Sequence, residues 1–269
     1  MNVAEALAGA GIDASEARML LAFTTGFARA KLVAHPEAVL GEAAAAKFLD
    51  FARRRRAGEP IAYLLGEREF HELTLRVTPD VLIPRPETEL LVDFALEHLP
   101  ACGSALDLGT GSGAIALAIR KQRPDVLVTA VDRSPAALAV ASGNAALLGL
   151  EVEFLQGSWF EPLGARQFDL IVSNPPYVAE GDPHLADGDV RFEPTVALVS
   201  GSDGLDAIRL IVATAPRHLR SGGHIAIEHG LGQDAAVRAL LIAAGLESVS
   251  SRTDLAGIAR VCCGQYNPE

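Results

Sequence analysis

The chain has 269 residues, 49% of them hydrophobic, a formal net charge of −11 and three cysteines. That length exceeds one typical domain and falls short of three, so two domains of unequal size are expected. The acidic balance excludes a protein that wraps DNA or RNA by neutralising many phosphates, and no apolar stretch reaches the roughly 18 uninterrupted residues of a membrane span.

The N-terminus, MNVAEALAGAGIDASEAR, carries acids and no basic leader. Cys102, Cys262, Cys263 and the seven histidines reproduce no zinc pattern. The expectation is a cytoplasmic protein without metal, membrane or stable nucleic-acid partner, and a monomer, since no coiled-coil heptads occur.

Residues 3–58 are rich in alanine and leucine at helical spacing, broken at Gly11, Gly26, Pro36 and Gly41, which predicts short helices joined by short loops. One helix starts near Ser15, another is expected over 36–40, and a longer one over 42–56 places Ala45, Phe48, Leu49 and Ala52 on its apolar face. The run Arg53 to Arg56 points in all directions around that helix and reads as a solvated end. After Pro60 the pattern becomes strand-like over 70–77; Thr78, Pro79 and Asp80 read as a turn and 81–83 as a second strand. The predicted organisation is a helical domain over 1–68, a β-hairpin linker over 69–86 and an α/β domain over 87–269.

Within that last domain the hydrophobic period alternates, the mark of an α/β sheet. Strands are predicted at 105–108, 126–132, 152–155, 168–173 and 223–228, with closing strands at 248–251 and 260–263. Helices are predicted at 114–121, 135–148, 205–219 and 234–244.

Asp107, Leu108, Gly109, Thr110, Gly111, Ser112 and Gly113 lie between a strand and a helix, where glycines let the backbone approach a ligand and the helix N-terminus faces it. Asp132 ends the next strand and can accept from both hydroxyls of a ribose. Trp159 follows the third strand and can pack on an adenine or simply fill a half-buried core position. Asp107 either faces the ligand or caps the turn. A strand-to-helix turn of this kind serves several nucleosides, and the discriminating element comes later in the chain.

The strand over 168–173 delivers Asn174, Pro175, Pro176 and Tyr177 to the carboxyl edge of the sheet, where open α/β folds bind ligands. Two prolines stiffen the backbone and remove two N–H donors, leaving the Pro175 carbonyl free. An amide or adenine amino nitrogen is a poor nucleophile because its lone pair is delocalised. If the Asn174 side-chain oxygen and the Pro175 carbonyl each accept one N–H, the nitrogen is oriented and gains electron density as it is alkylated. Alignment alone removes on the order of 7–11 kcal/mol of barrier, and Tyr177 offers an aromatic face to the planar group. A methyltransferase that uses S-adenosylmethionine, leaves S-adenosylhomocysteine and acts on such a nitrogen is expected.

The sequence resembles the HemK/PrmC glutamine methyltransferases that modify peptide-chain release factors. Glu59 to Glu67 (EPIAYLLGE), Phe70 and the block Val81 to Glu89 (VLIPRPETE) carry the resemblance, with Asp107 to Gly113, Asn174 to Tyr177, Glu193-Pro194 and Asp203-Gly204-Leu205. It spans most of the chain, the first fifty-odd residues matching in helical character more than in motif. The resemblance implies a Rossmann-like class I methyltransferase sheet, and N5-methylation of the glutamine in the Gly-Gly-Gln motif of class 1 release factors gripped by the helical domain. It implies S-adenosylmethionine among Gly109, Thr110, Gly111, Ser112, Gly113, Asp132, Trp159 and Asn174, and the glutamine held by Asn174, Pro175, Pro176 and Tyr177. It implies that Arg85 to Glu89 lie beside the cofactor or the substrate mouth, with no assigned catalytic role. His229, Thr195 and Ile258-Ala259 depart from the family pattern of an aliphatic residue, an arginine and an Arg-Asp pair.

The glycine turn and the Asn-Pro-Pro-Tyr tetrapeptide also occur in adenine-specific DNA methyltransferases. An N6-adenine methyltransferase and a non-catalytic nucleoside-binding scaffold are therefore the alternative readings. Against the first stand the acidic balance and the lack of a basic, aromatic recognition domain.

Overall fold

The computed structural model describes residues 1–268. Two compact units are present: Met1–Glu67 with Ala186–Phe192, and Arg68–Leu185 with Glu193–Glu269. Among the described residues no helix is long and apolar enough to cross a membrane.

The first unit holds five helices, α1 (Val3–Gly9), α2 (Ala14–Thr25), α3 (Arg29–Ala34), α4 (Glu42–Arg56) and α5 (Ile61–Leu65). Asn2 and Glu5 form a reciprocal capping box on α1, and the Asp13 carboxylate caps α2 by accepting from Ser15 and Glu16 N–H groups. Val3, Leu20, Leu21, Leu32, Phe48 and Leu64 make the core between them.

Two expectations fail in this unit. Residues 36–40 are not helical: the Pro36 and Ala38 carbonyls accept from Ala4 and Val3 N–H at 2.9 and 3.0 Å, so this stretch supplies the open N-terminus of α1 with acceptors. Pro36 instead follows the end of α3, a helix the spacing did not show, because a residue before proline is driven out of the α region. On α4, Leu49 is exposed and Phe51 takes the buried position beside Phe48 and Ala52.

Three of the four arginines of α4 are ties, while Arg53 is the solvated one, exposed and paired only with Asp50 of the same helix at 2.6 Å. Arg54 pairs with Glu59 (2.7 Å from Nε), Arg55 with Glu16 (2.8 and 2.9 Å) and with Asp189 (2.7 Å), and Arg56 donates to the Ala10 carbonyl at 2.9 Å. Arg191 donates to the Ala57 carbonyl, and its guanidinium fills the space where a side chain at Gly58 would begin, 1.8 Å from an ideal Cβ.

The second unit opens with a hairpin of β1 (Glu67–Phe70) and β2 (Leu73–Arg76). Its turn is His71-Glu72, both at positive φ (43° and 64°). Tight hairpins favour Asn or Gly there, so the sequence carries no signal for it. Residues 81–83 form no strand; Val81 and Ile83 are buried, and the Ile83 N–H donates to the Glu193 carboxylate at 3.2 Å.

There follow α6 (Glu89–His98), β3 (Ser104–Leu108), α7 (Ala114–Gln122), β4 (Leu127–Asp132), α8 (Pro135–Leu148), β5 (Glu153–Gln156), β6 (Phe168–Ser173), α9 (Asp206–Thr214), β7 (Leu219–Glu228), α10 (Asp234–Ala243), β8 (Glu247–Thr253) and β9 (Ala259–Tyr266). Helix α9 stops earlier than the expected 219, since Pro216 falls in a 3-10 turn over Ala215–Arg217 and Leu219 already opens β7.

The seven-stranded sheet has the order β5-β4-β3-β6-β7-β9-β8, parallel from β5 to β7, with β9 antiparallel to both β7 and β8. Leu170 and Val172 of β6 join one core with Leu91, Phe94, Leu117 and the hairpin residues Phe70, Leu73 and Leu75. Ile171 joins the other with Leu106, Val131, Ile208, Ile225 and Leu241. Burial on both faces explains why these strands read as continuous apolar runs. The chain winds one way from β3 through β4 to β5 and the other way from β6 to β7, so the carboxyl ends of β3 and β6 flank the switch point where such sheets bind ligands.

Asn144 on α8 braces this point. It is 1% exposed, accepts from Arg76 N–H at 2.8 Å, and donates to the Arg76 carbonyl (3.0 Å) and the Ser112 carbonyl (2.9 Å). We predict that Asn144→Leu, which fits the space but leaves three main-chain groups without partners, costs about 2–5 kcal/mol of stability. Urea unfolding of wild type and variant measures this; an unchanged midpoint contradicts it.

Candidate active site

A cavity of about 380 Å³ opens at the switch point. Its floor is the turn after β3. Gly109 and Gly111 sit at φ +75° and +56°, which only glycine adopts readily. The Trp159 ring lies against Gly109, 3.4 Å from an ideal Cβ, so a side chain there would press on the indole, whereas the space at Gly111 is open. Gly113 does not line the cavity. It too has a left-handed φ, +84°, and packing adds to the demand for glycine, because a Cβ would lie 3.0 Å from Leu117 and 3.2 Å from Ala141 on α8.

Asp107 also stays out of the cavity, and its carboxylate braces the turn. One oxygen accepts from Thr110 Oγ1 at 2.6 Å and from the Ala116 N–H at 3.3 Å; the other is buried without a partner. Burial pushes this carboxyl up to about 7.

Asp132, at the end of β4, lines the cavity and has each oxygen engaged once, by Gly111 N–H and Ser134 N–H, both at 2.9 Å. A carboxylate has about four acceptor positions, so two are left for hydroxyls. Trp159 lines the same side, at φ +51°.

Across the cavity stands the tetrapeptide after β6. Asn174 and Pro176 line the cavity, while Pro175 and Tyr177 do not. The Asn174 Nδ2 donates to Thr88 Oγ1 at 3.0 Å, and Thr88 in turn donates to Glu228 Oε2 at 2.7 Å. The ring of Tyr177, expected to face the substrate, packs against the core instead. Its hydroxyl donates to Glu228 Oε1 at 3.2 Å, and its carbonyl accepts from Gln233 Nε2 at 3.0 Å. Burial raises the Tyr177 phenol, which keeps its proton, and pushes Glu228 up to about 7.

Glu228 is not singled out by the sequence, and Thr88 only as a member of the block over 85–89, without a role of its own. A signal existed for Glu228: an acid ending the apolar strand Ile225-Ala226-Ile227 at the carboxyl edge has the same pattern as Asp132. Arg85, left without a role, forms an ion pair with Glu193, which is buried and also holds the Ile83 N–H. That pair fixes the start of the segment carrying Pro194, another cavity wall residue.

One other cluster among the described residues could hold a cation: His229, Asp234 and Cys262, whose ligand atoms lie within 4.8 Å of one another. Its donors converge on a single oxygen, Asp234 Oδ1, which accepts from Ser251 Oγ and from Cys262 Sγ (3.3 Å), with His229 Nε2 at 3.7 Å. Burial pushes the Cys262 thiol up to about 12, so it remains a protonated donor. The arrangement is that of a carboxylate held by donors at the start of α10.

Comparison with known proteins agrees with this geometry. Residues 87–188 match the family model of the methyltransferase small domain, and residues 2–66 that of the PrmC N-terminal domain. The chain is 51% identical to the release factor glutamine methyltransferase of Burkholderia pseudomallei, over 98% of this chain and 96% of that protein. It is 53% identical to that of Bordetella pertussis, over 96% and 97%.

A methyltransferase from Pyrococcus furiosus shares the fold at TM-score 0.56 and 19% identity, covering 72% of this chain and 89% of its own. The T. thermophilus 16S rRNA N2 G1207 methyltransferase, solved with AdoMet and guanosine, does so at TM-score 0.55 and 20% identity over 75% and 50%. Half of all residues identical over nearly the whole length, on a sheet that brings the glycine turn and the tetrapeptide to one cavity, decides the matter: the chain belongs to the release factor glutamine methyltransferase family.

Proposed function

We propose that this protein transfers a methyl group from S-adenosylmethionine to the side-chain amide nitrogen of the glutamine in the Gly-Gly-Gln motif of class 1 release factors. The observation that carries this reading is the orientation of Asn174. With Nδ2 engaged by Thr88, the group it has left for a ligand is the acceptor Oδ1, and an acceptor is what an NH2 group about to be alkylated requires.

The residues present fit the methyl donor. The volume lies in the range of about 300–1,000 Å³ usual for small-molecule sites. Open space at Gly111 admits a ligand close to the backbone, Asp132 offers acceptors for a ribose, and Trp159 offers a face for a base. When bound, S-adenosylmethionine supplies a methyl group already activated by its sulfonium, so the proposed chemistry asks no metal of the protein.

The chain's own task is then orientation. Asn174 Oδ1 accepts one amide N–H. The Pro175 carbonyl, which makes no main-chain hydrogen bond among the described residues although its residue does not line the cavity, is assigned the other. Together they hold the nitrogen in line with the methyl carbon and stabilise the positive charge that develops on it. The nitrogen, once alkylated, gives up a proton readily to water, so no strong base is needed. Pro176 limits the backbone to one geometry while this happens.

Residues 1–68 are assigned to recognition of the release factor, 69–86 to the hairpin link and 87–269 to methyl transfer. A translation factor as substrate places the enzyme in the cytoplasm, and we read it as a monomer without stable nucleic-acid binding.

Labelled methyl transfer to a purified class 1 release factor tests the assignment. Mass spectrometry is expected to find one methyl on the glutamine of Gly-Gly-Gln, undiminished by nuclease; no label there removes it. Asn174→Ala is expected to lower kcat by about 10²-fold or more while the Kd for S-adenosylmethionine changes only a few-fold; near-normal turnover contradicts the amide clamp. For Asp132→Ala the reverse split is expected, with cofactor Kd rising about tenfold or more and turnover at saturation much less affected. Calorimetric titration together with steady-state rates reads both.

A further inference from the structure

We propose that Glu228 is a positioning residue which, acting through Thr88, decides which end of the Asn174 side-chain amide faces the substrate. The inference rests on the reading of Asn174 as the acceptor for the substrate NH2 group. It follows from counting protons along the chain Asn174, Thr88, Glu228.

A threonine hydroxyl has one proton to give and lone pairs to receive. Thr88 is 4% exposed and Glu228 2%, so water does not rearrange the contact between them. With Glu228 ionised there is no proton on its side of the 2.7 Å bond, and Thr88 must donate. Thr88 Oγ1 can then meet Asn174, 3.0 Å away, only as an acceptor, so the amide must turn its Nδ2 inward and its Oδ1 outward.

The second carboxylate oxygen receives the Tyr177 hydroxyl at 3.2 Å. Tyr177 lies three residues beyond Asn174, so one carboxylate holds the tetrapeptide through Thr88 at its start and directly at its end.

Protonation of Glu228 reverses the logic. A carboxylic acid can donate to Thr88, which frees the threonine proton to meet Asn174. The amide then presents Oδ1 to Thr88 and its NH2 group to the cavity. An NH2 facing the substrate NH2 sets donor against donor, and the clamp is lost. The charged groups that bear on Glu228 are Glu87, which disfavours its ionisation, and Arg260, itself paired with Asp254 at 2.9 Å, which favours it. With burial the dominant cause, the carboxyl rests at about 7. Its folded-state value is raised, so the ionised, working form is present above that pH and is lost as pH falls through it. Neither an amide nitrogen nor a sulfonium titrates there.

The test uses the full-length enzyme, purified release factor and saturating S-adenosylmethionine. Saturation matters because Asp107, also raised to about 7, braces the glycine turn and would show itself in cofactor affinity. Wild-type kcat is expected to rise with pH through a limb near 7, and Glu228→Gln to abolish that limb. Thr88→Val, which keeps the shape and removes the hydroxyl, is expected to lower kcat about 10–10²-fold with cofactor Kd unchanged. Thr88→Ser, which restores the hydroxyl, is expected to recover turnover to within about threefold of wild type.

If Asn174→Ala is inactive while Thr88→Val turns over normally, or if the limb persists in Glu228→Gln, the positioning role is overturned and the clamp stands. Normal turnover in Asn174→Ala overturns the clamp itself.

Discussion

The site depends on one short run of hydrogen bonds with a fixed direction, from Asn174 Nδ2 to Thr88 Oγ1 and from Thr88 to the Glu228 carboxylate. An asparagine side chain is nearly symmetric in shape but opposite in polarity at its two ends. Nothing in its packing can choose between them; only a partner of known donor count can. A buried acid, which accepts and does not donate while ionised, supplies that direction. The low dielectric that makes the acid costly to ionise also makes its hydrogen bonds strong, so the same burial that raises Glu228 gives it authority over its neighbours.

The rest of the second unit brings that run to a methyl donor. Parallel β3 and β6 are adjacent strands with their carboxyl ends side by side, joined by the 2.7 Å bond from Ser173 Oγ to the Leu108 carbonyl. The turn after β3 is held from three sides: by Asp107 within, by Asp132 across β4, and by Asn144 from α8. The turn after β6 is held by Glu228 and Gln233. Close backbone approach is required there, since a Cβ on Gly204 would lie 2.2 Å from the Tyr177 carbonyl oxygen. Orientation catalysis of this type tolerates little play, and the density of these ties answers that need.

Residues that the sequence sets near a ligand also carry structure. Gly113, at φ +84°, leaves room for α8, Asp107 follows the second of its two readings and braces the turn, and the Tyr177 hydroxyl supports Glu228. The arginines of α4, which read as a surface run, are mostly occupied by acids and carbonyls of their own unit. Such roles depend on which residues lie opposite, and sequence spacing holds no information about that.

By itself the sequence determined the alternation of strands and helices over 105–244, because burial on both sheet faces imposes apolar runs and helix periods that can be read directly. It also determined the turn glycines and the Asn-Pro-Pro-Tyr tetrapeptide, whose residue types are restricted by backbone conformation and by reaction chemistry. Only the tertiary structure decided that residues 36–40 cap α1, that the hairpin turns at His71-Glu72, and that Thr88 and Glu228, 140 positions apart, are joined by a hydrogen bond. The physical reason is that none of the three leaves a mark on local periodicity. The first and third are hydrogen bonds to partners distant in the chain, and the second is a turn built from residue types that do not announce it; local periodicity reports only which face of an element is buried, not what it is buried against.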